Sequence, residues 1–204
     1  HRGAAGGTDV SEGTGSAHGG GSAGHEGTTH LSVVDGEGNA VAITHTNRDS
    51  SGVVTPGLGF MFNNDMASYD PIPGRRNSIA PGKMPVTGGA PTIFLQDGQV
   101  VMVIGSPAGP RKVTALVQAV LNVRYFGMGM AEAVAAERIH CEGEVVFAEP
   151  SFPEEKVEAL VGLGHRVERS RYTARLAAIL RNPQTGRLEG GSDPRGGGGL
   201  AAVE

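Results

Sequence analysis

The sequence predicts an α+β fold, in which strands pair in antiparallel hairpins and helices are grouped along the chain. Two segments have the pattern of strand, tight turn and strand, and two helical segments follow the second of them in succession. Elements grouped in this way favour α+β layers over a doubly wound parallel sheet. The chain has 204 residues, of which 38% are hydrophobic, and this is enough for the packed core of one domain.

The two hairpins are defined by short apolar runs on either side of polar turns that contain glycine. The predicted strands are 31–34 and 40–44 in the first hairpin, and 92–95 and 100–104 in the second. The first hairpin should begin at Thr28, and the two together indicate an antiparallel sheet. Residues 47–90, which lie between the hairpins, are rich in Gly, Pro, Asn and Ser. Loops of this length usually build a functional site.

Apolar residues at helical spacing predict two helices, over 111–125 and 130–138, which should cover one face of the sheet. Further along the chain we expect a strand at 144–147, a helix at 153–163 with proline in its first turn, and a strand at 176–180. These elements complete the α+β pattern.

The first 27 residues differ in composition from the rest of the chain. They contain ten glycines and hardly any large apolar side chains, so they cannot bury enough surface to offset the entropy of ordering. We therefore interpret residues 1–27 as a disordered Gly/Ser-rich linker that follows a further region, and residues 28–204 as the catalytic domain.

Charge and composition exclude several classes of function. Seventeen Lys and Arg residues against 21 Asp and Glu give a formal net charge of −4, without the basic face that nucleic acid or an anionic membrane requires. No apolar run approaches the ~20 residues that span a bilayer. The single cysteine, Cys141, has no partner for an internal disulfide and belongs to no zinc-binding spacing, so we expect a structural thiol and no metal site. The sequence does not assign a compartment.

The junction between the linker and the first strand is the most informative feature. Here Gly27 is followed by Thr28 and Thr29. A threonine hydroxyl is a weak nucleophile at neutral pH, and cleavage of the preceding bond would activate it by freeing its own α-amino group as a base. The alternative is that both threonines only open a strand, for which their branched Cβ atoms suit them.

Further motifs distinguish these alternatives. The runs TTHLSV at 28–33 and GNAVAITHT at 38–46 resemble the opening of the small subunit of gamma-glutamyltransferases. The resemblance continues in order through FNN at 62–64, APTI at 90–93, GSPAG at 105–109, AERIH at 136–140 and SDPR at 192–195. It implies an N-terminal-nucleophile hydrolase with an αββα sandwich, which is built from a large and a small chain produced by self-cleavage.

The resemblance also implies roles for individual residues. Thr28 matches the nucleophile that first attacks the carbonyl of Gly27 and later attacks the substrate amide, and Thr46 matches the hydroxyl that supports it. Ala108 and Gly109 match two residues whose backbone N–H groups hold the oxyanion. The family has two glycines there, so Ala108 is a departure, because alanine resists a left-handed backbone.

The positions that would recognise a glutamyl group have all changed. Asn47 and Arg48 stand where the family has an aliphatic residue and a ligand of the α-amino group, and Asp65 and Ser68 replace a further pair of such ligands. Thr87 and Gly88 replace the paired serines that hold the α-carboxylate. At ~4 Å in a partly buried site two like charges repel by about 4 kcal/mol, so Arg48 should disfavour a free α-amino group.

Two interpretations of Arg48 therefore remain. It binds a carboxylate at the end of an acyl chain, such as a glutaryl group, for which its planar fork is suited; or it faces solvent, and glutathione-like γ-glutamyl amides remain the substrates. In both cases the resemblance implies no cofactor, a small-molecule acyl amide as substrate, and the large subunit of the same precursor as partner. A non-catalytic family member that acts as a scaffold or binding module is the alternative to an enzyme. We expect residues 28–204 alone to be poorly soluble or inactive, because they would expose an apolar face.

Overall fold

The first hairpin pairs β1 (Thr28–Val34) with β2 (Ala40–Thr46) in antiparallel register from Thr28 opposite Thr46 onward. The computed structural model describes residues 27–48, 50–107, 109–171, 174–196 and 198–202. Burial alternates strictly along both strands of the hairpin, so one face packs inward while the other is exposed. The turn is held by the carboxylate of Asp35, which accepts the backbone N–H of Asn39 at 2.8 Å.

The second hairpin, β3 (Thr92–Gln96) and β4 (Gln99–Gly105), forms half of a four-stranded antiparallel sheet. The sheet is completed by β8 (Ala177–Arg181) and β9 (Leu188–Ser192), and its strand order is β3-β4-β8-β9. Asp97 and Gly98 join β3 to β4, with φ values of +51° and +77°. Two successive positive φ angles are typical of the type I′ turn that matches the twist of paired strands.

Two helices, α1 (Arg111–Arg124) and α2 (Met130–Ala135), pack on this sheet. Apolar side chains from β4, the two helices, β8 and the segment just before β8 form one buried core, which comprises Met102, Ile104, Ala115, Leu116, Ala119, Met130, Val134, Ala174, Leu176 and Ala178. The inner face of the first hairpin contacts β4 and β8 on the same sheet. Thr28 is therefore held against the layered core.

A third sheet completes the described part of the fold. It consists of β5 (Ile139–Cys141), β6 (Val145–Ala148) and β7 (Arg166–Arg169), with α3 (Glu154–Gly162) between the last two strands. The β5–β6 pair is antiparallel and the β6–β7 pair is parallel. In the long segment between the hairpins, the one helical element among the described residues is a 3-10 turn over Asp65–Ser68.

Most predicted elements are found within one or two residues of their expected bounds. The helix expected over 130–138 ends at Ala135, because Ala136 leaves the helical conformation with ψ near 144°. Cys141 is exposed rather than buried, so the expectation of a core thiol was wrong. In the described part of the chain, no helix is long and apolar enough to cross a membrane. The predicted linker lies, apart from Gly27, outside the described residues.

Candidate active site

The pairing of β1 with β2 brings the hydroxyls of Thr28 and Thr46 together. These residues are direct cross-strand partners on the inner face of the hairpin. Thr28 Oγ1 donates to Thr46 Oγ1 at 2.8 Å, and the same Thr46 oxygen accepts the backbone N–H of Arg48 at 2.8 Å. The Thr28 hydroxyl therefore has a fixed orientation.

The peptide bond before Thr28 is also fixed. The carbonyl oxygen of Gly27 accepts the backbone N–H of Asn47 at 2.9 Å, which extends the pairing of the hairpin by one residue. A hydrogen bond to this oxygen polarises the carbonyl carbon that Thr28 Oγ1 would attack. Thr28 and Pro107 both line an open cleft of about 760 Å³ along β1 and β8.

His30 lies next to Thr28 on the same inner face of β1. Its Nδ1 is 2.8 Å from Thr44 Oγ1 and its Nε2 is 3.0 Å from Ser32 Oγ. Ser32 donates its proton to the carbonyl of Ala177 at 3.1 Å, so Nε2–H donates to Ser32 and Nδ1 accepts from Thr44. Burial lowers the pKa of His30, which favours this neutral tautomer.

The predicted oxyanion loop follows β4. Ala108 lies outside the described residues. Gly109 lies just before α1, and its carbonyl accepts the backbone N–H of Lys112 at 3.2 Å. The side chain of His30 packs directly on Gly105, the last residue of β4. These contacts bring the start of the loop next to the first hairpin.

Three of the predicted substrate-binding residues contact one another. Arg48 Nε donates to Asp65 Oδ1 at 3.0 Å, and Ser68 Oγ donates to the same oxygen at 3.2 Å. Arg48 has a left-handed backbone, with φ of +50°, and its side chain is 42% exposed. The cation expected to bind a substrate thus forms an ion pair with the neighbouring carboxylate.

The other two predicted substrate-binding residues, Thr87 and Gly88, lie beside α1. Thr87 Oγ1 accepts the backbone N–H of Gly89 at 3.0 Å, so its hydroxyl is used within its own turn. A Cβ atom added to Gly88 would lie 3.5 Å from Lys112 Nζ. This close approach brings a lysine ammonium next to the segment where the family has paired serines.

Reasoning from the sequence missed His30 and Lys112. His30 could have been found from the two-residue period of β1, which puts it on the same face as Thr28. Lys112 could have been found from helical spacing, because it precedes the core residues Ala115, Leu116 and Ala119 by three, four and seven positions.

Comparison with known proteins gives a consistent result. A family model described as gamma-glutamyltranspeptidase matches residues 8–203. Among curated proteins, the chain is 39% identical to the acylase ACY 1 proenzyme of Pseudomonas sp. strain V22 over 179 residues, which cover 86% of this chain and 32% of that protein. It is 34% identical to the glutathione hydrolase proenzyme of Escherichia coli strain K12, over 82% of this chain and 31% of that protein. The chain thus spans about a third of the length of these relatives.

Solved structures agree with these matches. The gamma-glutamyltranspeptidase of Pseudomonas nitroreducens complexed with L-DON superposes with a TM-score of 0.73 at 33% identity, over 87% of this chain and 100% of that chain. The cephalosporin acylase of Bacillus halodurans gives a TM-score of 0.77 at 32% identity, over 86% of this chain and 34% of that chain. The fold is therefore that of the N-terminal-nucleophile hydrolases, and the chain belongs to the gamma-glutamyltranspeptidase family.

Proposed function

We propose that this chain is the catalytic part of a self-processing acylase that cleaves small acyl amides through an ester on Thr28. The contact of 2.8 Å between the hydroxyls of Thr28 and Thr46 carries this proposal. It is supported by the hydrogen bond from the backbone N–H of Asn47 to the carbonyl oxygen of Gly27. Self-cleavage requires attack on the carbon of this same carbonyl group.

The proposed self-cleavage takes two steps. Thr28 Oγ1 attacks the carbonyl carbon of Gly27, and the C–N bond to Thr28 breaks as its nitrogen takes up a proton, which leaves an ester and a free amine. Water then hydrolyses the ester, so that Gly27 ends in a carboxylate and Thr28 begins a new chain. The freed amine is the base that the hydroxyl lacked.

Turnover uses the same hydroxyl. Thr28 Oγ1 attacks the acyl carbon of the substrate while the α-amino group accepts its proton, and that proton passes to the departing amine. The acyl group remains on Thr28 as an ester until water or an acceptor amine removes it. Backbone N–H groups of Ala108 and Gly109 would stabilise the negative oxygen in both halves of the reaction.

The test is the mass of the full-length protein after expression. We expect two chains, with the second beginning at Thr28, and a single uncut chain for Thr28→Ala. Hydrolysis of acyl anilides should fall by ~10³-fold or more in that variant. Thr29→Ala is the matched control and should be cut normally, because Thr29 lies on the exposed face of β1. An uncut native protein would favour the non-catalytic scaffold instead.

The acyl group is the second part of the proposal. Asp65, the one acidic residue in the predicted recognition set, already bonds to Arg48 and Ser68. A substrate α-ammonium would therefore meet a compensated carboxylate and a nearby guanidinium, which disfavours γ-glutamyl groups. Acyl chains that end in a carboxylate and lack the amine, such as glutaryl, suit this site better. The similarity to an acylase agrees with this preference.

Paired anilides test the preference. The full-length protein should hydrolyse glutaryl p-nitroanilide with a kcat/KM at least about tenfold above that for the γ-glutamyl compound, equivalent to ~1.4 kcal/mol. Arg48→Met should narrow the ratio of glutaryl to γ-glutamyl kcat/KM by raising the γ-glutamyl value. Arg76 is an exposed cation outside the Arg48–Asp65 ion pair, so Arg76→Met should leave this ratio unchanged. Faster turnover of the γ-glutamyl substrate by the native enzyme would reverse the assignment to glutathione-like amides.

We also propose the large-subunit region of the same precursor as partner. The outer face of the first hairpin presents four large apolar side chains, each at least 42% exposed: Leu31, Val33, Val41 and Ile43. A continuous apolar strip of this kind is usually covered by another protein surface. The relatives are named proenzymes and are about three times as long as this chain, so a covering region from the same precursor is consistent with them.

A further inference from the structure

Lys112 is a charged residue on the buried, otherwise apolar face of α1. The buried residues of α1 are Lys112, Ala115, Leu116 and Ala119, which form a single stripe along the helix. The lysine is only 8% exposed and takes the first place in a row of core residues. Lysine is almost never buried to this degree unless its charge has a function or a partner, so an apolar residue would be expected there.

Two contacts describe how Lys112 is placed. The backbone N–H of Lys112 bonds to the carbonyl of Gly109, one of the two predicted oxyanion residues. At the other end of the side chain, Nζ and Cε lie 3.5 and 3.6 Å from the place that a Cβ of Gly88 would occupy. The side chain thus spans from the oxyanion loop to the Thr87–Gly88 segment.

Gly88 lets the end of the lysine side chain pack against its backbone. Because residue 88 has no side chain, none separates the ammonium from a ligand bound against residues 87 and 88. The hydroxyl of Thr87 accepts a hydrogen bond from the backbone of its own turn. An ammonium has three donors, so it can bond to protein groups and to a ligand oxygen at the same time. A carboxylate forms a short, charge-assisted hydrogen bond with an ammonium, about twice as strong as a bond between neutral groups.

A short dicarboxylic acyl group fits this chemistry. With its acyl carbon on Thr28, a glutaryl chain carries a second carboxylate four carbons further on, and Lys112 supplies a cation for it beside Gly88. Arg48 is less suited to this task, because it is 42% exposed and already paired with Asp65.

We propose that Lys112 binds the free carboxylate of a dicarboxylic acyl chain and thereby sets the acyl specificity. This rests on the proposed acylase activity of Thr28. Lys112 makes the substrate contact that the sequence assigned to Arg48, and Arg48 with Asp65 excludes the α-ammonium of an amino acid.

The experiment compares Lys112→Met with the native full-length enzyme on glutaryl and pentanoyl p-nitroanilides, which differ only in the terminal carboxylate. We expect kcat/KM for the glutaryl compound to fall about 10- to 100-fold, as for loss of a charged hydrogen bond, and that for the pentanoyl compound to change less than about twofold. Lys112→Arg should retain more glutaryl activity than Lys112→Met. Lys156→Met, which removes an exposed lysine from α3, should change neither.

An equal loss on both anilides would show that Lys112 only supports the fold, and no loss on the glutaryl compound would show that the carboxylate lies elsewhere. A glutaryl-specific loss in Arg48→Met without one in Lys112→Met would move the contact back to Arg48. Calorimetry with glutarate separates this proposal from the acylase proposal. Glutarate binding that is lost in Lys112→Met, in a protein that hydrolyses neither anilide, would keep the anion site and refute the acylase activity.

Discussion

The hydroxyl oxygen of Thr46 connects Thr28, the proposed nucleophile, to Arg48. It accepts one hydrogen bond from Thr28 Oγ1 and another from the backbone of Arg48, both at 2.8 Å. The left-handed backbone of Arg48 is held by the second of these bonds. Thr46 therefore positions both the Thr28 hydroxyl and the backbone of Arg48, and a substitution there should affect both.

His30 is the titratable group nearest to the nucleophile on the inner face of β1. Its neutral tautomer is fixed because Ser32 donates onward to Ala177 and must accept from the ring. Because burial lowers its pKa, the folded chain binds the imidazole proton more weakly than the unfolded chain, whose histidine titrates near ~6.5. Between the two pKa values the unfolded state binds more protons, so stability falls as the pH is lowered.

The lowered pKa of His30 predicts that the stability of the folded chain decreases at low pH. The uncleaved Thr28→Ala precursor, in which a single chain unfolds, should lose thermal stability as the pH falls from 8 to 5. The additional substitution His30→Gln should flatten that dependence, since glutamine does not titrate. His165→Gln is the control, because His165 is exposed, and it should leave the slope unchanged. If thermal stability changed equally with pH in the precursor with and without His30, burial of this histidine would not cause the pH dependence.

At the scale of elements, the end of β4 is shaped by the ring of His30. A Cβ on Gly105 would lie 2.1 Å from His30 Cε1, a distance that no side chain tolerates. The strand therefore needs glycine where it passes under the hairpin and turns into the predicted oxyanion loop. This contact joins β1, which carries the proposed nucleophile, to β4, which leads into the predicted oxyanion loop.

Gly105→Ala should accordingly cost about 1–3 kcal/mol of unfolding free energy, since either the ring or the strand must move. Activity should fall further than stability alone would cause, because the ring would leave Ser32 and Thr44. Gly36→Ala is the matched control, for a Cβ there meets no atom within 4 Å. Denaturant unfolding and anilide hydrolysis, measured on the same full-length variants, check both effects. Equal behaviour of the two alanine variants would mean that the strand adjusts without strain.

The elements that the sequence predicted have strong local signals, and those it missed depend on tertiary contacts. The hairpins and α1 follow from apolar periodicity and turn residues. By contrast, β9 contains two glycines and has little strand propensity, yet it pairs fully with β8. A Cβ on Gly191 would lie 2.8 Å from the carbonyl oxygen of Met130, so this glycine allows the close packing of α2, and a Cβ on Gly190 would lie 2.7 Å from Leu200 Cδ2. Such a requirement cannot be read from one segment.

In the candidate site, too, local patterns were predictable from the sequence and tertiary contacts were not. The pairing of Thr28 with Thr46 follows from strand register alone, so counting along the hairpin was sufficient. The contacts of Arg48 with Asp65 and of Lys112 with Gly88 join segments far apart in sequence. Residue types and family motifs identified Arg48 and Gly88 as altered positions, but the partner of each depends on how the loops fold.

At the scale of the whole molecule, a buried ion cluster joins the layers. Arg138 and Asp193 are each 2% exposed and bond at 2.7 Å, and Asp193 also accepts the backbone N–H of Leu176. Burial alone would raise the pKa of Asp193, but the charge of Arg138 and the hydrogen bonds to the carboxylate outweigh it and hold that pKa below its usual value. Arg195 adds a second cation, bonded to Asp193 and to Glu149. The cluster thus ties the C-terminal segment to α2 and the third sheet.

Asp193→Asn should therefore destabilise the full-length protein by ~3–5 kcal/mol, because it leaves the buried guanidinium of Arg138 without its anionic partner. Asp70→Asn removes the same charge from the ion pair with Arg75, whose side chain is 60% exposed, and should cost at most about 1 kcal/mol. Soluble yield and thermal unfolding of the two variants measure the contrast. Since the depressed pKa of Asp193 makes its contribution vanish as the pH falls through that pKa, the difference between the variants should shrink in strong acid. If Asp193→Asn proved as stable as Asp70→Asn at neutral pH, the cluster would not hold the layers together, and apolar packing alone would position the strands beneath Thr28.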